Sequence, residues 1–362
     1  MVASVTRSVF QSAKQRPDKH QVMCAADQQG INLISEGKVR SVGVKTIAIT
    51  GANGFIGRNL VQRLTANDDV QIRLLIRGPR SPALRSPRLT VTQGNLQEPE
   101  TLANFLVPGC TVVNLAYDSS VPQSANLLAA RNLARVCAEN QVNRLIHCST
   151  AVVFGRCADT VVNEECLCDP RTEYGITKLM VEQALREEAR GRFEIVILRP
   201  TAVFGPGGQA LLKLAAQLAH GSRTLNYLRA CLFGKRSMNL VCVDNVSAAI
   251  QFFTESENRM DGEIFIVSQD EDPDNNFQYV EKCLLAKLTG NDYVLPRLIM
   301  PPAILSWFLR MRNRDVVNPQ RVYDSSKLQR AGFRPIVPLD AGLAAYAEWC
   351  LEQVVSGRRA AL

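Results

Sequence analysis

Residues 50–57 read Thr50-Gly51-Ala52-Asn53-Gly54-Phe55-Ile56-Gly57 (TGANGFIG). They follow a short β-branched apolar run, KTIAIT at 45–50, which has the look of a buried parallel strand. After them FIGRNLVQRLTA at 55–66 sets Phe55, Ile56, Leu60, Val61 and Leu64 on one side of a helix. Glycines between strand and helix permit a tight turn, let the backbone approach a pyrophosphate, and allow close helix–strand packing. The free N–H groups and dipole of the helix start then favour an anion. In this strand–turn–helix context the glycines predict a dinucleotide-binding βαβ unit.

Outward from this turn the same alternation continues. Short apolar runs predict strands at 70–76, 89–92, 112–116, 144–149 and 193–198, with helices at 124–139 and 173–188. Strands of this length alternating with helices give an α/β fold, a Rossmann-type doubly wound parallel sheet. Past Gly205 the pattern loosens into a helix at 209–220, a strand at 263–268 and a helix at 340–354. We therefore expect a dinucleotide-binding domain at 45–205, with 239–270 returning to it, and a smaller substrate-binding domain from 206–238 and 271–362. Residues 1–44 read as a disordered leader.

Composition narrows the function classes. With 362 residues, 46% apolar and 21% charged, the chain is neither a disordered protein nor a disulfide mini-scaffold. The net charge of +8 contains no basic block, and 1–44 holds six Lys or Arg against three Asp or Glu. No motif supports nucleic-acid binding, and phosphorylated small molecules suit the basic balance. Eleven scattered cysteines without a CxxC pair point to reduced thiols and a cytoplasmic setting. Cys157, Cys166 and Cys168 fall close together, but His20, His147 and His220 lie elsewhere, so no metal site is expected and these read as plain thiols. No stretch nears the roughly 18 apolar residues of a membrane span. The longest candidate, 295–311, is broken by prolines and reads as a buried or lid helix starting near Pro302. Residues 1–22 lack the apolar core of a secretory signal, and their basic, serine-bearing character makes the mitochondrial matrix the alternative compartment.

Two further features carry chemistry. An acid at the end of the second strand would hold an adenosine 2′-hydroxyl, whereas arginine accommodates a 2′-phosphate. This chain has Arg77 there, Arg73 and Arg80 nearby, and no acid between 71 and 97, which favours NADP(H) while leaving NAD(H) open. Tyr174-Gly175-Ile176-Thr177-Lys178 (YGITK) puts Tyr174 and Lys178 on one helical face. A lysine there can lower the phenol pKa and make tyrosine a usable acid or base.

With TGANGFIG at 50–57, NLA at 114–116, CSTAVVFG at 148–155, YGITK at 174–178, LRPTAVFGPGG at 198–208 and CVDNVSAA at 242–249, the chain resembles an extended short-chain dehydrogenase/reductase of the NAD-dependent epimerase/dehydratase group. The resemblance spans about 45–355. It implies catalytic roles for Thr150, Tyr174 and Lys178: Tyr174 as acid/base, Thr150 bonding the same substrate oxygen, Lys178 holding the nicotinamide ribose. Ser149 reads as a backbone-bonded strand-end serine. For the cofactor it implies contacts from Gly51, Asn53, Gly54, Phe55, Ile56 and Gly57. Arg77, Asn95, Leu96, Leu115 and Ala116 follow, then Pro200 and Val203 beside Tyr174 and Lys178. For the substrate it implies Thr150 and Tyr174, with Arg229 and Arg236 near a nucleotide diphosphate.

Departures bear on the reaction. Asn95 replaces an aspartate common near adenine, Ala202 an asparagine of many sugar-nucleotide enzymes, and Ala151-Val152 the acid pair of 4,6-dehydratases. Dehydration is therefore ranked low. The resemblance implies a nucleotide-sugar oxidoreductase or epimerase in surface-polysaccharide (LPS/O-antigen-type) synthesis, with 4-keto-sugar reduction slightly ahead of 4-epimerisation. Alternatives are an NADPH-dependent reductase of a sterol, lipid or flavonoid-like substrate, or a noncatalytic NADP-binding regulator; the retained Thr150, Tyr174 and Lys178 speak against the last. A homodimer through helices 124–139 and 173–188 is also implied.

Overall fold

The structure is a computed structural model that describes residues 45–78, 86–102, 104–157, 159–301, 303–305, 311 and 318–355. The leader at 1–44, Arg80 and much of the helix expected within 295–311 lie outside the described residues.

Strands form where β-branched and aliphatic runs can be covered on both faces. In chain order these are β1 (Lys45–Thr50), β2 (Val70–Ile76), β3 (Leu89–Gln93), β4 (Thr111–Asn114), β5 (Arg144–Cys148), β6 (Val161–Val162), β7 (Glu194–Pro200), β8 (Ala202–Phe204), β9 (Leu240–Cys242), β10 (Glu263–Val267) and β11 (Val322–Tyr323). Seven of them make one parallel sheet in the order β10-β7-β5-β4-β1-β2-β3. The chain runs outward from β1 in both directions, so the order reverses between β1 and β4 and opens a crevice at their carboxyl ends.

Alternate residues of β1 feed opposite layers. Ile47 and Ile49 join Leu60, Val61 and Leu64 of α1 (Phe55–Thr65) and Val246, Ile250 and Phe253 of α6 (Val243–Glu255). Ala48 joins Leu133 and Cys137 of α2 (Gln123–Glu139) and Val181 and Leu185 of α3 (Glu173–Ala189). A third apolar cluster, around fully buried Tyr346, unites Phe204, Leu218 of α4 (Leu212–His220), Leu284 of α7 (Phe277–Thr289) and Leu343 of the C-terminal helix Leu339–Val355.

Among the described residues no helix is long and apolar enough to cross a membrane. Ten of the cysteines lie among them, and all ten are free thiols.

Four helices were not foreseen: α5 (Arg223–Phe233), α6, α7 and the short Ser326–Arg330. Their ends carry local signals. Ser222 caps α5 by accepting from Leu225 N at 3.5 Å, and Asn276 caps α7 by accepting from Tyr279 N at 3.0 Å. Gly290 ends α7 with φ +69°.

Two buried arginines tie the layers together. Arg144 donates to Glu194 and to the carbonyls of Phe253, Ser256 and Asn258, fastening the end of α6 beneath the sheet. Arg199 of β7 meets Glu182 of α3 at 2.7 Å, with both side chains at least 96% buried. Ser149 does not bond the backbone through its hydroxyl as expected; it donates to Glu182, because that buried carboxylate needs every donor within reach. Removing one partner of such a pair strands a charge. Glu182→Ala should therefore cost about 3–5 kcal/mol in urea unfolding, whereas Glu182→Gln should cost less.

Candidate functional site

The crevice between β1 and β4 holds a cavity of about 550 Å³. Its walls are the glycine turn, the ends of β2, β3 and β4, and the faces of α2 and α3 that carry Ala125, Ala129, Lys178 and Val181.

The glycine turn is shaped for close approach. Gly51 has φ +73°, and a Cβ there would stand 2.7 Å from the carbonyl carbon of Leu115. A Cβ on Gly57 would stand 2.3 Å from the Gly51 oxygen, so α1 meets the turn with no room for a side chain. Gly54 caps α1 without a side-chain bond, and the first turn holds no acid, which leaves its amides to face an anion. This cradle and the open N-terminus fit a dinucleotide pyrophosphate.

The expected cofactor residues divide. Gly51, Asn53, Gly54, Arg77, Asn95, Leu96, Leu115, Ala116 and Lys178 line the cavity. Phe55, Ile56, Gly57, Tyr174, Pro200 and Val203 lie outside its lining. Phe55 instead packs under the 205–208 loop, where a Cβ on Gly208 would touch its ring at 2.6 Å. Arg77 Nη1 meets Asp118 Oδ2 at 2.5 Å, and its side chain is 65% exposed. Bonds from Ser120 and Arg77 hold the Asp118 carboxyl down at about 2. Arg73 is structural, donating to the carbonyls of Asn104 and Phe105.

Beneath the cavity lies a buried polar chain. Thr50 Oγ1 donates to Asn114 Oδ1 at 2.7 Å, and the Asn114 amide lies 3.3 Å from His147 Nδ1. Burial, then the Lys178 charge, pushes the His147 pKa well below its usual value, so the ring is neutral. Neutral His147 accepts at Nδ1, which puts its proton on Nε2, an atom with no partner among the described residues.

The three expected catalytic residues come together beside this layer. Thr150 ends the β5 segment and caps the short turn Ala151–Phe154 by accepting from Val152 N at 3.2 Å. Tyr174 sits in the first turn of α3, which Thr172 caps through Gly175 N at 3.1 Å. The Thr150 side chain stands beside the Tyr174 phenol and favours its ionised form. Lys178, one turn on, is buried; its Nζ donates to Cys148 O at 2.9 Å and lies 5.2 Å over the Tyr117 ring.

The phenol differs from expectation. Burial, then the nearby Cys148, pushes the Tyr174 pKa up to about 12, and the Thr150 side chain offsets only part of this. The Lys178 ammonium sits on Cys148 O and over the Tyr117 ring, and burial disfavours its charge. Tyr174 is 38% exposed as a residue and lies outside the cavity lining, against Tyr117.

Sequence reading missed Tyr117 and Asp118. Tyr117 meets the Tyr174 ring edge-on at 5.0 Å and 84°; Tyr117 and Asp118 line the cavity, whereas Tyr174 lies outside its lining. Their signal lay directly after NLA in the sequence. Arg229, on α5, bonds Asn226 of its own helix at 3.3 Å, and neither Arg229 nor Arg236 lines the cavity.

Comparison with known proteins agrees with this geometry. A model of the NAD dependent epimerase/dehydratase family matches residues 47–268. The UDP-glucose 4-epimerase of Vibrio cholerae is 29% identical over 238 residues, which cover 59% of this chain and 71% of that protein. The crystal structure of the Bordetella bronchiseptica enzyme WbmH, in complex with NAD+, superposes with a TM-score of 0.65 at 18% identity, covering 85% of this chain and 98% of that one. The UDP-glucuronic acid 4-epimerase of Bacillus cereus, in complex with NAD, gives 0.62 at 20%, covering 85% and 99%.

A phenol whose pKa is raised stays protonated through neutral pH. The absorbance of the cofactor-free chain at 295 nm, minus that of Tyr174→Phe, should therefore show no ionisation step below pH 10; a step at pH 7–8 contradicts the assignment.

Proposed function

The chain belongs to the NAD dependent epimerase/dehydratase family, and on that premise we propose that it is an oxidoreductase of nucleotide sugars. The reaction is reduction of a 4-keto sugar, or epimerisation at C4, for surface-polysaccharide synthesis. The observation that carries this reading is the Thr150–Tyr174–Lys178 group beside a cavity shaped for a dinucleotide.

A bound nicotinamide supplies hydride exchange at a carbinol or carbonyl carbon. This chain's own residues handle the oxygen. Tyr174, protonated at neutral pH, donates its phenol proton to the substrate oxygen. Thr150 bonds the same oxygen and keeps the phenol aimed at it. Lys178 fixes the Cys148 carbonyl and the Tyr117 ring, which rests on Tyr174. A protonated phenol can give its proton to a keto oxygen, as reduction and the second half of an epimerisation both require; we rank reduction slightly ahead because an exchangeable NADP(H) suits a reductase.

The proposed cofactor is NADP(H), because Arg77 stands at the end of β2 and no acid occupies 71–97, its carboxylate partner Asp118 coming from beyond β4. Arg77 would hold the 2′-phosphate, and giving up its exposed pairing with Asp118 would cost little. The substrate-binding domain, built from 206–238 and 271–362, belongs to the same reading, as do Arg229 and Arg236 at the diphosphate. So does a homodimer through α2 and α3, whose Leu128 and Ile176 are exposed. A second reading, reduction of an apolar substrate, rests on Leu225, Leu228 and Leu298, all more than half exposed.

Turnover with NADPH against 4-keto nucleotide sugars and apolar ketones separates the two substrate classes. Tyr174→Phe should lower kcat about 100-fold or more with the correct substrate while the fold is kept; near-normal turnover refutes the proton donor. Arg77→Asp should weaken NADPH about tenfold, the worth of one charge-assisted bond, and improve NADH. Unchanged preference assigns the site to NAD(H).

A further inference from the structure

The chain between Thr150 and Tyr174 contains a second cluster that the reaction does not use. Cys157 Sγ lies 3.3 Å from Asp159 Oδ2, and Cys166 Sγ lies 3.4 Å from the same oxygen. All three ligand atoms fall within 4.8 Å of one another. Sequence reading weighed only cysteines and histidines here; folding adds a carboxylate.

The geometry points to a tetrahedral divalent-metal site of the zinc class, formed by Cys157, Asp159 and Cys166. Zinc lies about 2.3 Å from sulfur and about 2.0–2.2 Å from a carboxylate oxygen, so tetrahedral sulfur–oxygen edges span about 3.6 Å. The observed edges need shifts of only a few tenths of an ångström. Two thiolates and one carboxylate select zinc-like ions over magnesium or calcium. On binding, the two S–H bonds break, both protons pass to solvent, and two metal–sulfur bonds form. The carboxylate supplies the third ligand. The cysteines are half-buried and Asp159 is exposed, which leaves the fourth position to water. Asn163 Oδ1, 3.5 Å from Cys166 Sγ, is already bonded to Glu165 N. Cys168 faces Arg199 and is no member of the cluster.

The backbone that carries the ligands is held from several sides. Arg321 donates to the carbonyls of Gly155 and Cys157. Arg156 N bonds Asp169 O at 3.2 Å, and Glu164 accepts from Ile266 N at 2.8 Å. β6 pairs with β11 between the two cysteines in sequence. A site preorganised in this way loses little freedom when the ion enters. A metal there closes the loop that joins Thr150 to Tyr174 at a point remote from the cavity.

The test uses the full chain, reduced, stripped with chelator and titrated with Co²⁺. We expect one equivalent bound, with a sulfur-to-cobalt band and tetrahedral visible bands that Zn²⁺ abolishes. Cys157→Ser/Cys166→Ser should lose the sulfur band, and Cys168→Ser should keep it. No sulfur band from the reduced chain, or a band that survives the double substitution, overturns the site. Should the double variant fail to fold, Asp159→Asn serves, since that side chain is exposed. It should weaken Co²⁺ affinity about tenfold or more with unchanged circular dichroism, and equal affinity overturns the assignment.

Discussion

The approach of Gly51 to the backbone at Leu115 and Ala116 sets the geometry on which everything else rests. Atoms within 2.9 Å of a virtual Cβ leave glycine alone able to fit. This contact brings the ends of β1 and β4 together at the point where strand order reverses. Thr50 then reaches Asn114, and Asn114 reaches His147. A bulkier turn would part the strands and undo that chain of bonds from its first member.

The polar groups behind the cavity form two layers of different character. Asn114 and neutral His147 make an uncharged floor, which keeps the reacting centre in a low dielectric. One layer deeper, Glu182, Arg199 and Ser149 compensate one another completely, so their charges do not leak into the site. Lys178 stands between them as the one buried cation of the cavity wall, and it holds Cys148 O in place of a carboxylate. The Tyr174 phenol therefore feels burial more than charge.

Much of this was legible in the chain. The glycine turn and the alternating apolar runs dictate a parallel sheet, since only strands covered on both faces can be so continuously apolar. Tyr174 and Lys178 share a face by helical geometry alone. What escaped were facts that depend on distant partners. The pairing of Arg77 with Asp118 joins residues 41 apart in sequence. The elevated phenol pKa follows from burial, which spacing does not encode. Helix α5 mixes arginine, asparagine and tyrosine among its apolar residues, and α7 buries Glu281 in its apolar face, so their caps were clearer than their periodicity.

The ladder between β6 and β11 joins Val161 to Val322, residues made far apart in time on the ribosome. Closing so long a stretch of chain is entropically slow, and it cannot begin until β11 has been synthesised. The dinucleotide cavity draws only on residues up to Val181, so its walls are complete long before. Assembly is thus ordered in time: the nascent chain acquires the means to hold a cofactor first. The loop between Thr150 and Tyr174 is fixed only after β11 has been made.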